Sequence, residues 1–261
     1  MDAAHQFCEA KYAVSPHVAE FWNTVSNVPA FVVPGLLGLY RSGGACDVRI
    51  KLMWLSLVLV GLGSFAFHGT MRFKWELLDE LPMFLLVLCG IHTKDDTHWI
   101  TTGRCKAAVH ALSWGLCVLG VIAYISSGAY HIFINSFTVI VAVDFVLGVV
   151  CLWRPDRHGS WAATGCLLLY IATLLLGKLL WEIEVRLCPP GSGGALASLH
   201  VLWHFLAGLA VYYGILADAH GRYASLGAGF AVDAPGGRWP LLWAVRGSWL
   251  RPAGGGANGD A

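Results

Sequence analysis

Hydrophobic positions fall in seven stretches, at roughly 20–40, 49–70, 77–93, 104–126, 131–153, 160–182 and 197–218, most of them near the 20 residues a helix needs to cross a hydrocarbon core. None alternates with the two-residue period of a barrel strand, and the connections are short. The pattern predicts an all-α membrane protein, a bundle of seven transmembrane helices. The third stretch, with Pro82 inside it, is the shortest. No internal repeat is evident, which argues against a transporter built from duplicated halves.

Composition removes the soluble alternative: 57% of residues are hydrophobic and 13% charged, too apolar for a wet surface. Lysine and arginine set the orientation, since cytosolic flanks are enriched in them. With the N-terminus lumenal, Arg41, Arg49, Lys51, Lys94, Arg104, Lys106, Arg154, Arg157, Arg222, Arg238, Arg246 and Arg251 face the cytosol. Lys11, Arg72, Lys74 and Arg186 face the lumen. The C-terminus is then cytosolic. Residues before Glu20 lack a charged start followed by an apolar core, so the first span is expected to direct insertion itself. Three regions follow: a lumenal segment 1–19, the bundle 20–220, and a largely flexible cytosolic tail 221–261 rich in Gly, Ala, Pro and Arg. Within the tail, Arg238–Trp243 suits either a membrane interface or a short patch without function.

Candidate chemistry lies at one depth. His68 sits near the lumenal end of the second span, His200 and His204 near the lumenal start of the seventh, and Asp79 and Glu20 at lumenal starts of the third and first. A single intramembrane histidine most simply hydrogen-bonds at a helix interface; three at one depth favour a metal. His200 and His204 are four apart, on one helical face about 6 Å apart along the axis. Three nitrogen ligands with an open fourth position is the pattern of catalytic zinc. His5 and His17 fall on an N-terminal segment expected to be mobile. His92, His98, His110, His131, His158 and His220 fall nearer loops or the cytosolic side. There is no C-x-x-C pair for a finger-type site.

The stretches Ala19–Asn27 (AEFWNTVSN), Gly61–His68 (GLGSFAFH), Leu77–Met83 (LLDELPM) and His200–His204 (HVLWH) resemble the alkaline ceramidases. These are seven-helix membrane amidases grouped with a wider superfamily of membrane hydrolases and receptors. The resemblance covers roughly residues 8 to 218 in matching order. It implies that His68, His200 and His204 bind zinc, that Asp79 orients or deprotonates water, and that Ser64 assists at the reacting carbonyl. The implied reaction is hydrolysis of the amide of ceramide to sphingosine and a free fatty acid. The implied partners are ceramide and membrane lipids, with no nucleic acid, and the implied location is the endoplasmic reticulum or Golgi membrane. Ser64 and His68 are four apart, hence on one face. Ser64 is equally placed to back-bond to the Val60 carbonyl, and Asp79 or Glu80 to serve as first-turn helix charges.

The N-terminal segment departs from the family, whose Asp-Trp-Cys-Glu-x-Asn pattern and a later glutamate form a calcium site. Here Gln6 and Lys11 replace two oxygen ligands, leaving Glu9 and Glu20 as a degenerate site. Calcium affinity rises with carboxylate count, so binding is expected to be weakened or absent, with Lys11 pairing Glu9 or Glu20. Cys8 and Cys188 are the two lumenal cysteines, and family members carry cysteines at both positions, which implies a Cys8–Cys188 bridge. Asp144, deep in the fifth span, needs a partner or a proton. Lys178 is expected to snorkel, and Glu182 and Glu184 to be lumenal surface charges or the border of a pocket mouth. Three rivals stay open: a hydrolase of another lipid amide, a receptor of the same superfamily with structural zinc, and a pseudoenzyme.

Overall fold

Lipid reverses the usual packing rule, and helix α5 (Gly103–Ser127) shows it. Its buried positions are Ser113, Cys117, Gly120 and Tyr124, while Leu112, Leu116, Leu119 and Ile122 point outward. Small and polar residues at three-to-four spacing form the inner face, because large aliphatics gain nothing by leaving an apolar solvent.

The computed structural model describes residues 2–42, 47–98, 102–152, 161–225, 230–231 and 251–252. Among them the chain forms seven helical rods. The first is composite: α1 (Phe21–Asn27), a π-helical turn (Val28–Val32) and α2 (Val33–Ser42). The others are α3 (Val48–Thr70), α4 (Phe73–His98), α5, α6 (Tyr130–Leu152), α7 (Trp161–Leu187) and α8 (Ser198–Ser225). Two two-residue strands, Phe230–Ala231 and Arg251–Pro252, pair antiparallel. The Arg238–Trp243 stretch, Cys46, Arg154 and Arg157 lie outside the described residues.

Among the described residues five helices are long and apolar enough to cross a membrane: α3, α5, α6 and most of α7 and α8. The two remaining rods depart from the expected pattern for separate reasons. The first is broken by its π turn, where Pro29 has no N–H to give. α4 is longer than the expected 77–93, runs through Pro82 without a break, and carries six acidic or basic residues from Glu76 to Asp96. Four of those charges, Glu76, Glu80, Lys94 and Asp95, are buried.

Two close pairings, α3 with α4 and α7 with α8, carry the site. Gly63 sets the first. A Cβ there would lie 2.4 Å from the Asp79 backbone nitrogen, so only glycine lets α3 and α4 approach this closely.

The N-terminal segment is a pinned strap, not the mobile arm expected. Ala3 donates to the Met71 carbonyl, Ala19 to Gly69 and Glu20 to His68, each at 3.0 Å. The Cys8–Cys188 disulfide is present, and Phe7, Ala19, Phe67 and Met71 form a small core beneath the strap. Cross-links and buried hydrogen bonds of this kind leave the strap no solvated alternative.

Replacing Gly63 with alanine should destabilise the bundle by about 1–3 kcal/mol, the usual cost of overpacking. Thermal unfolding of the detergent-purified protein should show a lowered midpoint, and an unchanged midpoint would refute the tight α3–α4 contact.

Candidate metal centre

Two helices deliver three buried imidazoles to one point. His68 comes from the last turn of α3, His200 and His204 from the first two turns of α8, and each is at most 3% exposed. Their potential ligand atoms lie within 4.8 Å of one another. Each ring has one nitrogen already occupied. His68 Nδ1 meets Glu20 Oε2 at 2.7 Å, His200 Nδ1 meets Glu184 Oε2 at 3.1 Å, and His204 Nδ1 meets Ser26 Oγ at 2.8 Å. The Ser26 hydroxyl donates its proton to the Asn23 carbonyl at 3.0 Å, so toward His204 it accepts. All three Nδ1 atoms thus carry the ring proton, and all three Nε2 lone pairs remain for a metal. Buried carboxylate or hydroxyl partners of this type fix both tautomer and ring orientation in metal sites. The donor set fits a divalent, nitrogen-preferring ion such as zinc with an open position.

Beside the histidines, Ser64 donates a hydrogen bond to the Asp79 carboxylate, and His68 acts on the same carboxylate electrostatically. Ser64, Asp79 and the three histidines line one cavity of about 440 Å³, otherwise mostly apolar. Glu80 also lines it and is buried. A polar corner opening into an apolar space suits a ligand with a polar head and hydrocarbon chains.

The remaining candidates take other roles. Glu9 accepts from the backbone N–H groups of Trp22 (2.7 Å) and Asn23 (2.8 Å), capping α1 from outside the helix. Glu20 Oε2 is shared between His68 and the Asn23 amide, the latter at 3.1 Å. Lys11 donates to the Gln6 side-chain carbonyl at 2.9 Å, rather than to Glu9 or Glu20 as expected, because both carboxylates are already engaged. An ammonium seated on Gln6, with both carboxylates turned to the protein, does not fit a calcium cage.

Several site residues escaped the sequence reading. Glu184 is 1% exposed and holds His200 and the Cys8 N–H, whereas Glu182 pairs with Lys178 and Arg186. Lys178 lies over the Trp181 ring, 3.7 Å from its centroid. His5 enters the cavity, stacked on Tyr130 at 4.2 Å, with its backbone N–H held by Glu76 at 3.0 Å. Burial pushes its imidazole down to about 4, so it is neutral, and its buried Nε2 has no partner among the described residues. Phe7, two residues on, covers His200 at 3.9 Å between ring centroids.

Comparison with known proteins gives the family of the chain. The profile of the family described as Ceramidase matches residues 1–231. "Alkaline ceramidase 3" of Mus musculus is 28% identical over 253 residues, covering 90% of each chain. "Putative alkaline ceramidase dcd3B" of Dictyostelium discoideum is 29% identical, covering 81% of this chain and 84% of that protein. "Alkaline ceramidase" of Arabidopsis thaliana is 27% identical, covering 76% and 75%.

Ser26→Ala and Glu184→Gln should each weaken metal affinity by about 10–100-fold, the usual effect of removing an outer partner. Competition against a chromophoric chelator reads this directly, and affinities equal to wild type would show that the Nδ1 contacts do not tune the site.

Proposed function

Because the chain belongs to the ceramidase family and is a hydrolase of that kind, we propose that it is a zinc-dependent intramembrane amidase that cleaves ceramide to sphingosine and a fatty acid. The observation that carries the reading is the set of three imidazoles with occupied Nδ1 atoms beside the Ser64–Asp79 pair, at the polar end of an apolar cavity. His68, His200 and His204 would hold the ion. When bound, zinc supplies Lewis acidity toward water and toward a carbonyl, which matters because amides are poor electrophiles.

The chain's own residues do the rest. Asp79 takes a proton from the attacking water and returns it to the leaving amine. Ser64 holds Asp79 at rest and, lining the same cavity as the histidines, donates to the developing oxyanion. The apolar walls hold the chains of the lipid and keep bulk water from the amide. His5, neutral and pinned, presents an unpartnered nitrogen to the head of the substrate.

The seven rods are read as seven crossings with a lumenal N-terminus, in the endoplasmic reticulum or Golgi membrane. Five helices of spanning length and hydropathy support the crossings. The Cys8–Cys188 disulfide supports the orientation, since that bond suits an oxidising lumen. Calcium is not part of the proposed activity.

Purified protein should release sphingosine from ceramide, and His204→Ala and Asp79→Asn should both lose turnover. Asp79→Asn should still bind metal, which metal analysis of the purified variant checks. Lipid binding without release by the wild type would favour a receptor of the same superfamily. A calcium chelator should change neither activity nor thermal midpoint once zinc is resupplied; loss of either on calcium removal would restore calcium to the N-terminal site.

A further inference from the structure

The cavity has a second polar end. Lys94 of α4 bonds Asp144 of α6 at 2.9 Å and Asp218 of α8 at 3.0 Å, and Tyr170 of α7 donates to Asp144 at 2.5 Å. The Lys94, Asp144 and Asp218 side chains are at most 9% exposed. All four residues line the same cavity as the histidines. Fifteen residues of α4 separate Asp79 from Lys94, about 22 Å of helix, and fourteen of α8 separate His204 from Asp218, about 21 Å. Two independent helices therefore give one length for the space between reactive centre and ion cluster. The walls between are apolar, with Met83, Val87, Phe137, Val141, Leu174 and Val211 among them. At the far end Gly90 leaves the cluster uncovered: a Cβ there would lie 3.0 Å from Asp144 Oδ1 and 3.3 Å from Lys94 Nζ.

We infer that the Lys94–Asp144–Asp218 cluster is the floor of a slot for one hydrocarbon chain of the substrate, and that it sets the longest chain accepted. This rests on the lipid-amide reading above. A chain that fits within the slot contacts only apolar wall. A longer one must press its terminal methylenes against fixed, paired charges and displace whatever solvates them, which is unfavourable for ions in an apolar interior.

Two substrate series test this, one varying acyl length with the sphingoid base fixed and the other varying the base with the acyl chain fixed. Turnover is read beside thermal stabilisation of the wild-type protein by each lipid. One series should show a break, with kcat/KM falling about tenfold or more beyond the limiting length, and that series identifies the chain in the slot. Lys94→Ala/Asp144→Ala/Asp218→Ala/Tyr170→Phe, which removes the whole cluster and leaves no charge unpaired, should move the break to longer chains. Gly90→Val, which raises the floor, should move it to shorter ones and carries the test where the fourfold variant does not fold. A break that appears in stabilisation and moves with these variants supports the floor even where no lipid is hydrolysed, in which case the amidase reading alone falls. Profiles without a break, or a break that stays put in both variants, overturn the inference.

Discussion

The bond between Glu20 and His68 is the contact on which the rest of the site depends. Its partners are 0% and 1% exposed and 2.7 Å apart. Removing Glu20 would leave the buried ring N–H of His68 without its acceptor, at a cost of about 1–3 kcal/mol. The same two residues are joined through the backbone, Glu20 N–H to the His68 carbonyl. One residue therefore fixes the His68 ring, the end of α3 and the start of α1. From α1, Ser26 reaches His204, so the first rod and α8 are registered through the histidines themselves. Glu184 closes the set by holding His200 and the Cys8 N–H together.

The second organising constraint is the solvent. An apolar surround offers buried polar groups no alternative partners, so they gather where they satisfy one another. Two such groups line the cavity, the histidine layer and the Lys94 cluster, separated by apolar wall. α4 contributes to both, which explains why its composition falls short of an ordinary spanning helix although its length does not. Its charges are spent inside the bundle.

Much of this was legible in the residues. The i, i+4 spacing of His200 and His204, the depth match with His68 and Asp79, and the helical periodicity needed only topology. Ser26 stood in the AEFWNTVSN stretch, yet its role depends on where α1 crosses α8, which no local pattern encodes. Glu184 and Glu182 are indistinguishable by spacing to the surface; the difference is which side of α7 faces α8. Lys94 looked like a flanking positive charge because it sits near a span end. The depth test applied to the histidines would not have found it, since Lys94 lies just past the 77–93 stretch and Asp144 well inside its own; α4 continues to His98 and brings the three charges together. His5 was hidden for a different reason, since its position comes from hydrogen bonds distant in sequence, Ala4 and His5 to Glu76 and Ala3 to Met71.

The departure at Gln6 and Lys11 then has a physical reading. A calcium ion at the N-terminus of a family member would tie a strap to the helices below it through shared carboxylates. In this chain the same mechanical task is divided among other contacts: Glu9 caps α1, Glu76 holds the backbone at Ala4 and His5, Glu184 holds Cys8, and the disulfide closes the far side. Lys11 sits on Gln6, the two departures satisfying each other. Because these anchors converge on residues 4 to 9, they fix the stretch that carries His5 and Phe7 into the cavity. The strap is therefore part of the cavity wall, held there by protein contacts alone among the described residues.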